Sequence, residues 1–229
     1  MRSSYEDFLQ RLTQYRQRLN MTQEETSKAI GVTQSQFSKM ELGKTIVSYK
    51  CLQNLVRKGW DIDYLLTGKE VLRTSSEMTE LLMHVTDENR QEFLRAVAWI
   101  LEQAVLKCVS DVDFETKCEI EILKREAGRR KTDSVLYEIR KMSGISQIPM
   151  AERLGVNIKK YRMLEKNKVH PDAELLLRIY EVTGCKPSLL VNFGNVENMI
   201  IDNLWWQINQ TVREKILLLS GQIIQFLNM

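Results

Sequence analysis

The side chains of this sequence that could do chemistry are hydrogen-bond donors and acceptors rather than the groups of a catalytic centre. The sequence contains no G-x(4)-G-K-[ST] phosphate loop, no H-E-x-x-H metal motif and no G-x-S-x-G nucleophile motif. Its four cysteines show no C-x-x-C spacing and only two histidines are present, so a zinc site has no support. We therefore predict no catalytic residue, no metal, no cofactor and no enzymatic activity.

Two helix-capping patterns follow one another early in the chain. Residues 22–25, Thr-Gln-Glu-Glu, match the S/T-x-x-E/Q capping box and predict a helix that ends at Gly31. Residues 33–36, Thr-Gln-Ser-Gln, repeat the pattern and predict a second helix at about 33–42. Two short helices joined by a Gly-Val-Thr turn indicate a helix-turn-helix.

An internal repeat organises the chain. A shift of 124 residues superimposes Leu12 on Leu136, Arg16 on Arg140, Gln23 on Gln147, Gly31 on Gly155, Glu41 on Glu165 and Lys44 on Lys168. One inserted residue then brings Gly59 onto Gly184 and Leu65 onto Leu190. A weaker similarity links 85–101 with 208–224 at a shift of 123, which predicts that the helices after each repeated block are duplicated too.

Positive charge collects in the two repeated blocks. Residues 5–69 and 133–191 each contain ten Lys and Arg against seven Asp and Glu, whereas 70–132 contain ten against thirteen. This distribution favours two modules that face a polyanion. No apolar run reaches the roughly 18 residues of a membrane span, and the first residues lack the apolar stretch of a signal peptide. We therefore predict a cytoplasmic protein without membrane contact.

The composition and periodicity predict an all-α protein. Apolar residues recur at helical spacing, and three prolines and ten glycines are too few for a chain rich in β-turns. We divide the chain into a first helix-turn-helix domain at 1–69, a helical linker or dimerisation segment at 70–132, a second, divergent helix-turn-helix domain at 133–191 and a C-terminal helical interaction segment at 192–229.

The stretch MTQEETSKAIGVTQSQFSKMELGK, from Met21 to Lys44, resembles the XRE, or Cro/cI-type, helix-turn-helix of phage repressors and bacterial regulators. The resemblance covers 5–68 and, less typically, 133–191. It implies two lambda-repressor-like domains in tandem, and double-stranded DNA as the partner. The function implied is that of a sequence-specific transcriptional regulator, with repression favoured over activation.

We call the two helix-turn-helix domains, 1–69 and 133–191, the first and the second head. The resemblance also assigns roles to residues of the first head. Its recognition helix would read base edges in the major groove through Gln34, Ser35, Ser38 and Lys39. The residues assigned to phosphate contacts are Gln23, Thr33, Lys44 and Thr45. Arg16 and Glu41 match a structural ion pair. The chemistry suits these roles, since Gln can make a bidentate contact to adenine and Lys can donate to guanine.

The second head keeps the scaffold but departs from the pattern where bases are read. Arg140 and Glu165 repeat the structural ion pair, whereas Asn-Ile-Lys-Lys at 157–160 replaces residues 33–36. The DNA-binding candidates of this head are Gln147, Asn157, Lys159, Lys160, Arg162 and Lys168. Its basic side chains suit phosphates, and Ile158 could touch a thymine methyl. A role in protein contact is the alternative for this head.

The segments outside the heads leave two questions open. The apolar stripes Phe93–Val105 and Ile216–Leu227 fit either an intramolecular core or a homodimer surface. The basic run at 124–131 is interpreted as a solvated junction, with a DNA-following arm as the alternative. For the whole chain the second hypothesis is an interaction protein, an antitoxin or adaptor, that binds a protein partner through the second head and the tail.

Overall fold

The computed structural model describes residues 4–70, 74–128, 134–191 and 196–228. These residues contain fourteen α-helices, one short 3₁₀ turn and no β-strand, so the all-α prediction is confirmed. None of the helices described is long and apolar enough to cross a membrane. Of the basic run at 124–131, residues 129–131 lie outside the described residues.

In chain order the helices are α1 Tyr5–Arg18, α2 Gln23–Ile30, α3 Gln34–Glu41, α4 Tyr49–Arg57, α5 Ile62–Thr67, α6 Glu77–Met83, α7 Asp87–Cys108, α8 Phe114–Ala127, α9 Val135–Met142, α10 Gln147–Arg153, α11 Ile158–Glu165, α12 Ala173–Thr183, α13 Val196–Trp205 and α14 Gln210–Leu227, with the 3₁₀ turn at Pro187–Leu189. They form two compact units. The head unit contains the described residues 4–70 and 134–191, and the helical unit contains 74–128 and 196–228.

Capping boxes begin the first three helices of the chain. Ser4, Thr22 and Thr33 each accept a hydrogen bond from the backbone N–H three residues on, and the side chain at that position accepts one in return. The backbone N–H of Thr22 donates to the Glu25 carboxylate, and this hydrogen bond lowers the pKa of Glu25. The helix starts predicted from the two capping patterns are thus confirmed.

Each head has its own buried centre. In the first head it is built around Phe8, Leu12, Phe37, Leu52 and Leu55, which are at most 1% exposed. In the second head the buried residues are Leu136, Met150, Ala151, Leu154, Tyr161, Leu164, Leu175 and Ile179. Tyr161 stands where the first head has Phe37, and burial raises the pKa of its phenol.

The second head also contributes residues to the buried cluster of the first head, and we call this joint cluster the shared core. Ala173, Leu176, Leu177 and Val191, all from the second block, belong to the same buried cluster as Phe8 and the other core residues of the first head. Because α12 directs Leu175 and Ile179 into the second core, this helix is apolar on two faces. The head unit is therefore a single folded body.

The helical unit pairs two long helices antiparallel. Asn89, near the start of α7, donates to the carbonyl oxygen of Leu227 at 2.9 Å, and Asn209, before α14, donates to Cys108 Sγ at 3.2 Å. Helices α7 and α14 begin 123 residues apart, at Asp87 and Gln210. This is the shift at which the sequence predicted a second duplicated segment.

The apolar stripes of these two helices have different environments. Phe93, Val97, Ile100, Leu101 and Val105 are buried, so the α7 stripe is intramolecular core. On α14 only Ile216 and Ser220 are buried, and the core interpretation is wrong for Leu219, which is 43% exposed. The reason is that the pairing with α7 covers one narrow side of α14 and leaves Leu218, Leu219 and Phe226 in solvent.

Candidate nucleic-acid interface

The turn between α2 and α3 is fixed by hydrogen bonds from both sides. Gly31 ends α2 with φ +77°, in the left-handed region that favours glycine. The Val32 N–H donates to the carbonyl oxygen of Ser27 at 3.0 Å. From α4, Asn54 Nδ2 donates to the carbonyl oxygen of Ile30 at 2.8 Å. Helix α4, the fourth of the head, therefore holds the end of α2 at the point where the turn to α3 begins.

Helix α3 separates polar and apolar residues cleanly. Phe37 and Met40 are buried in the first head, whereas Gln34, Ser35 and Lys39 are exposed. Ser38 is half-buried. The residues predicted to read bases thus lie on the solvent side of a helix whose other side is anchored. Exposed donors and acceptors on one rigid helix are what direct readout in a major groove needs.

A nearly buried carboxylate connects α1, α2 and α3. Glu41 accepts hydrogen bonds from Arg16 Nε at 2.9 Å, Gln23 Nε2 at 2.6 Å and Thr13 Oγ1 at 3.2 Å. Arg16 also donates to the carbonyl oxygen of Met21 at 2.8 Å. The side chains of Arg16 and Glu41 are 13% and 6% exposed, which gives this ion pair the environment of a structural one.

Gln23 extends this network to the exposed face. Its Oε1 accepts a hydrogen bond from Gln34 Nε2 at 2.9 Å while its Nε2 donates to Glu41. Both ends of the Gln23 amide are thus engaged within the protein. The phosphate contact that the resemblance assigns to Gln23 stays a prediction; in the structure its Oε1 also holds the amide of Gln34.

The remaining predicted phosphate contacts lie at the ends of α3. Lys44 and Thr45 are exposed after the helix, and the backbone N–H of Lys44 already donates to the carbonyl oxygen of Lys39 at 2.8 Å. This leaves the side chain of Lys44, rather than its backbone N–H, for a phosphate. Thr33 caps α3 through its hydroxyl, which accepts from the Gln36 N–H at 3.2 Å.

The second head repeats this hydrogen-bond network, but its last residue is Arg162 instead of a counterpart of Gln34. Glu165 accepts from Arg140 Nε and from Gln147 Nε2, and Arg140 donates to the carbonyl oxygen of Ile145 at 3.0 Å. Burial alone would lower the pKa of Arg140, but the hydrogen bond and charge of Glu165 raise it. Gln147 Oε1 then accepts from Arg162 Nε at 3.3 Å. Arg162 is the counterpart of Ser38, not of Gln34.

The other candidates of the second head lie at and after the start of α11. Asn157 caps the helix, accepting from the Lys160 N–H at 2.8 Å. Lys159, Lys160 and Lys168 are exposed. Ile158 is half-buried and packs against the core of this head, which leaves only part of its side chain for a thymine methyl.

Comparison with known families confirms the motif at both places. The family model described as Helix-turn-helix matches residues 12–58 and 136–190. The chain carries two XRE-type helix-turn-helix domains in tandem. Domains of this type bind DNA, and no catalytic family matches the chain. No curated protein and no solved structure matches it.

Two features of the XRE-type domains were missed from the sequence. One is the support that α4 and α12 give to the turn: Arg178, the counterpart of Asn54, donates to the carbonyl oxygen of Leu154 at 3.1 Å. The repeat aligns these two residues, but Asn and Arg look unrelated without the structure. The other is the shared core, for which the run Leu175-Leu176-Leu177 was the available signal, because three adjacent leucines cannot share one helix face.

Proposed function

We propose that this protein is a sequence-specific, non-enzymatic DNA-binding regulator of transcription, acting as a repressor, whose first XRE-type domain reads the major groove with α3. The observation that carries the proposal is the exposed row Gln34, Ser35 and Lys39 on an anchored helix, with Gln34 already held by Gln23. A reading side chain fixed before binding loses less conformational entropy when it contacts a base. Preorganisation therefore favours base reading over general phosphate contact for Gln34.

In this proposal the two domains contribute differently to the affinity and to the sequence specificity of DNA binding. Lys44 and Thr45 of the first head and Lys159, Lys160 and Lys168 of the second are exposed and suited to phosphates. Phosphate contacts supply salt-dependent affinity without sequence preference. The first head supplies specificity, and the second head adds affinity or a second half-site.

The test is selection of random duplex DNA by the full-length protein, followed by sequencing of the bound pool. Gln34→Ala should relax the preference at one base position, because a bidentate Gln–adenine contact discriminates by about 1–3 kcal/mol. Gln103→Ala, on the exposed face of α7, is the matched control and should leave the selected sequence unchanged. Uniformly weaker binding to all sequences would indicate that Gln34 contacts the DNA phosphates instead of a base. No enrichment of any sequence at low salt would refute the proposal. A reporter gene downstream of the selected site then distinguishes repression from activation.

A second candidate is a protein-binding role, and the exposed side of α14 favours it. Leu218 and Phe226 are 69% and 74% exposed, and the sequence from Ile216 to Asn228 contains no charged residue. An exposed apolar helix side indicates a protein contact. Sedimentation equilibrium of the pure chain tests a second copy: a dimer lost in Phe226→Ser assigns the surface to it. A monomer at all concentrations leaves an unlike protein partner, which would co-purify in fixed stoichiometry.

A further inference from the structure

The two heads touch each other through residues that are each other's counterparts in the repeat. The backbone N–H of Ser188 donates to Asp63 Oδ1 at 2.8 Å, and these residues are 125 positions apart. Gly59 and Gly184, like Leu65 and Leu190, are related by the same spacing. In a twofold association only residues at the axis contact their own equivalents. The α5 contact with the 3₁₀ turn therefore marks a local pseudo-twofold axis.

A second crossing of the axis lies where α4 and α12 begin. The N–H of Ala173 donates to the carbonyl oxygen of Val47 at 3.0 Å, and the Tyr49 ring stacks on His170 with centroids 4.3 Å apart. Tyr49 and Ala173 are counterparts at the shift of 124. The Tyr49 hydroxyl also donates to the carbonyl oxygen of Leu190 at 3.1 Å. Equivalent helix starts thus face each other, as they do in a homodimer.

The association has the burial of a core rather than of a transient contact. Asp63 and Ser188 are 1% and 4% exposed. Leu176 and Leu177 enter the cluster that contains Leu52 and Leu55 of the first head. Two heads fixed in this way present their recognition helices, α3 and α11, in one constant relation.

The pseudo-symmetry ends at the side chains that face outward. In the first head the network that starts at the glutamate ends on Gln34; in the second head it ends on Arg162. Gln pairs with adenine and Arg pairs with guanine through bidentate contacts. The position of the supported residue differs as well, since Arg162 lies one helical turn further along its helix than Gln34 does along α3. Two half-sites read by these heads cannot have the same sequence.

We infer that one chain, without a second copy, binds a two-part, non-palindromic DNA duplex, in which Gln34 reads one part and Arg162 reads a guanine in the other. This inference rests on the proposed function. It assigns Arg162 to base reading, whereas the sequence alone suggested a phosphate contact. It also predicts that the partner of one two-headed chain is one asymmetric site rather than half of a palindrome.

The experiment combines the selected DNA pool with the stoichiometry of the complex. The full-length chain, Gln34→Ala and Arg162→Ala each select from a random duplex library at low salt. The mass of the wild-type complex with its selected duplex is measured by sedimentation velocity. Lys117→Ala, an exposed cation of α8, controls for the loss of one positive charge. Circular dichroism checks that the variants keep their helix content, as expected for exposed side chains.

The inference expects an asymmetric two-part site and one chain per duplex. Each substitution should then reduce discrimination about tenfold in one part only, with opposite parts affected by Gln34→Ala and Arg162→Ala. A palindrome bound by two chains would overturn the inference and leave the proposed function standing. A single half-site, or an Arg162→Ala variant that weakens all sequences equally, would do the same. No enrichment with any variant would refute the proposed function itself.

Discussion

Glu41 and Glu165 show how two residues at equal positions organise their heads. Each accepts hydrogen bonds from an arginine of the helix that precedes the motif, α1 or α9, and from a glutamine of the first motif helix, α2 or α10. A buried carboxylate without its cation would face a desolvation cost that its neutral hydrogen-bond donors offset only in part. The same two interactions therefore fix the packing of three helices and the side chain that supports the reading residue.

The ion pair of the first head gives a stability prediction at this scale. Arg16→Met should lower the free energy of unfolding by about 3 kcal/mol, because it leaves the nearly buried Glu41 carboxylate without its charged partner. Lys28→Met breaks the pair with Glu24, in which the two side chains are 73% and 66% exposed, and it should leave the free energy of unfolding almost unchanged because water screens an exposed pair. Urea unfolding followed by circular dichroism compares the two. Equal losses would show that Glu41 is better solvated than its burial indicates.

The helix-turn-helix element depends on a turn that only some residues can make. Gly31 has φ +77°, and a Cβ there would lie 3.3 Å from Asn54 Nδ2, the atom that donates to the end of α2. An alanine at this position would be strained and would press on the hydrogen bond that holds the turn. The element thus combines a backbone requirement with a contact from α4.

Two glycine substitutions test the account of the turn. Gly31→Ala should lower the free energy of unfolding by about 1–2 kcal/mol, because a Cβ disfavours the left-handed conformation. Gly221→Ala lies within α14 with nothing within 4 Å of the added Cβ, and it should raise stability by about 0.5–1 kcal/mol, since glycine weakens a helix interior. The measurement is the same urea titration. A gain for Gly31→Ala would contradict the account of the turn.

At the scale of the whole molecule, the shared core joins the two helix-turn-helix domains into one compact unit. Leu176 and Leu177 could not be buried if the heads were joined only by a tether. Under the proposed function, a fixed relation between α3 and α11 allows one spacing of two half-sites and excludes others. A homodimer imposes the same constraint on its operator, and in our proposal one chain imposes it alone.

The spacing of the selected site tests this rigidity. Inserting about five base pairs between its two parts moves the second part to the opposite side of the duplex. Binding should then fall to the affinity of a duplex that contains the first part alone. Inserting the same base pairs outside the site is the control and should change nothing. Full affinity after the internal insertion would show that the heads move independently.

The sequence by itself determined the local structure and the family. Capping boxes at Thr22 and Thr33 fixed the motif helices, and the repeat at 124 residues located the second domain. The helix starts were predictable because the free backbone N–H groups at a helix start are hydrogen-bonded by side chains within three residues. The ion pairs followed from the resemblance, which carries their spacing with it.

The tertiary structure alone decided which surfaces meet. Gln23 between Glu41 and Gln34, Arg162 on Gln147, and Asp63 against Ser188 join residues that are distant in sequence and leave no periodic pattern. The exposure of Leu219 was equally hidden, because an apolar stripe looks the same whether a neighbouring helix covers it or not. The free energy of helix formation depends mainly on residues close in sequence, whereas the burial of a side chain depends on which other elements the folded chain brings to its face of the helix.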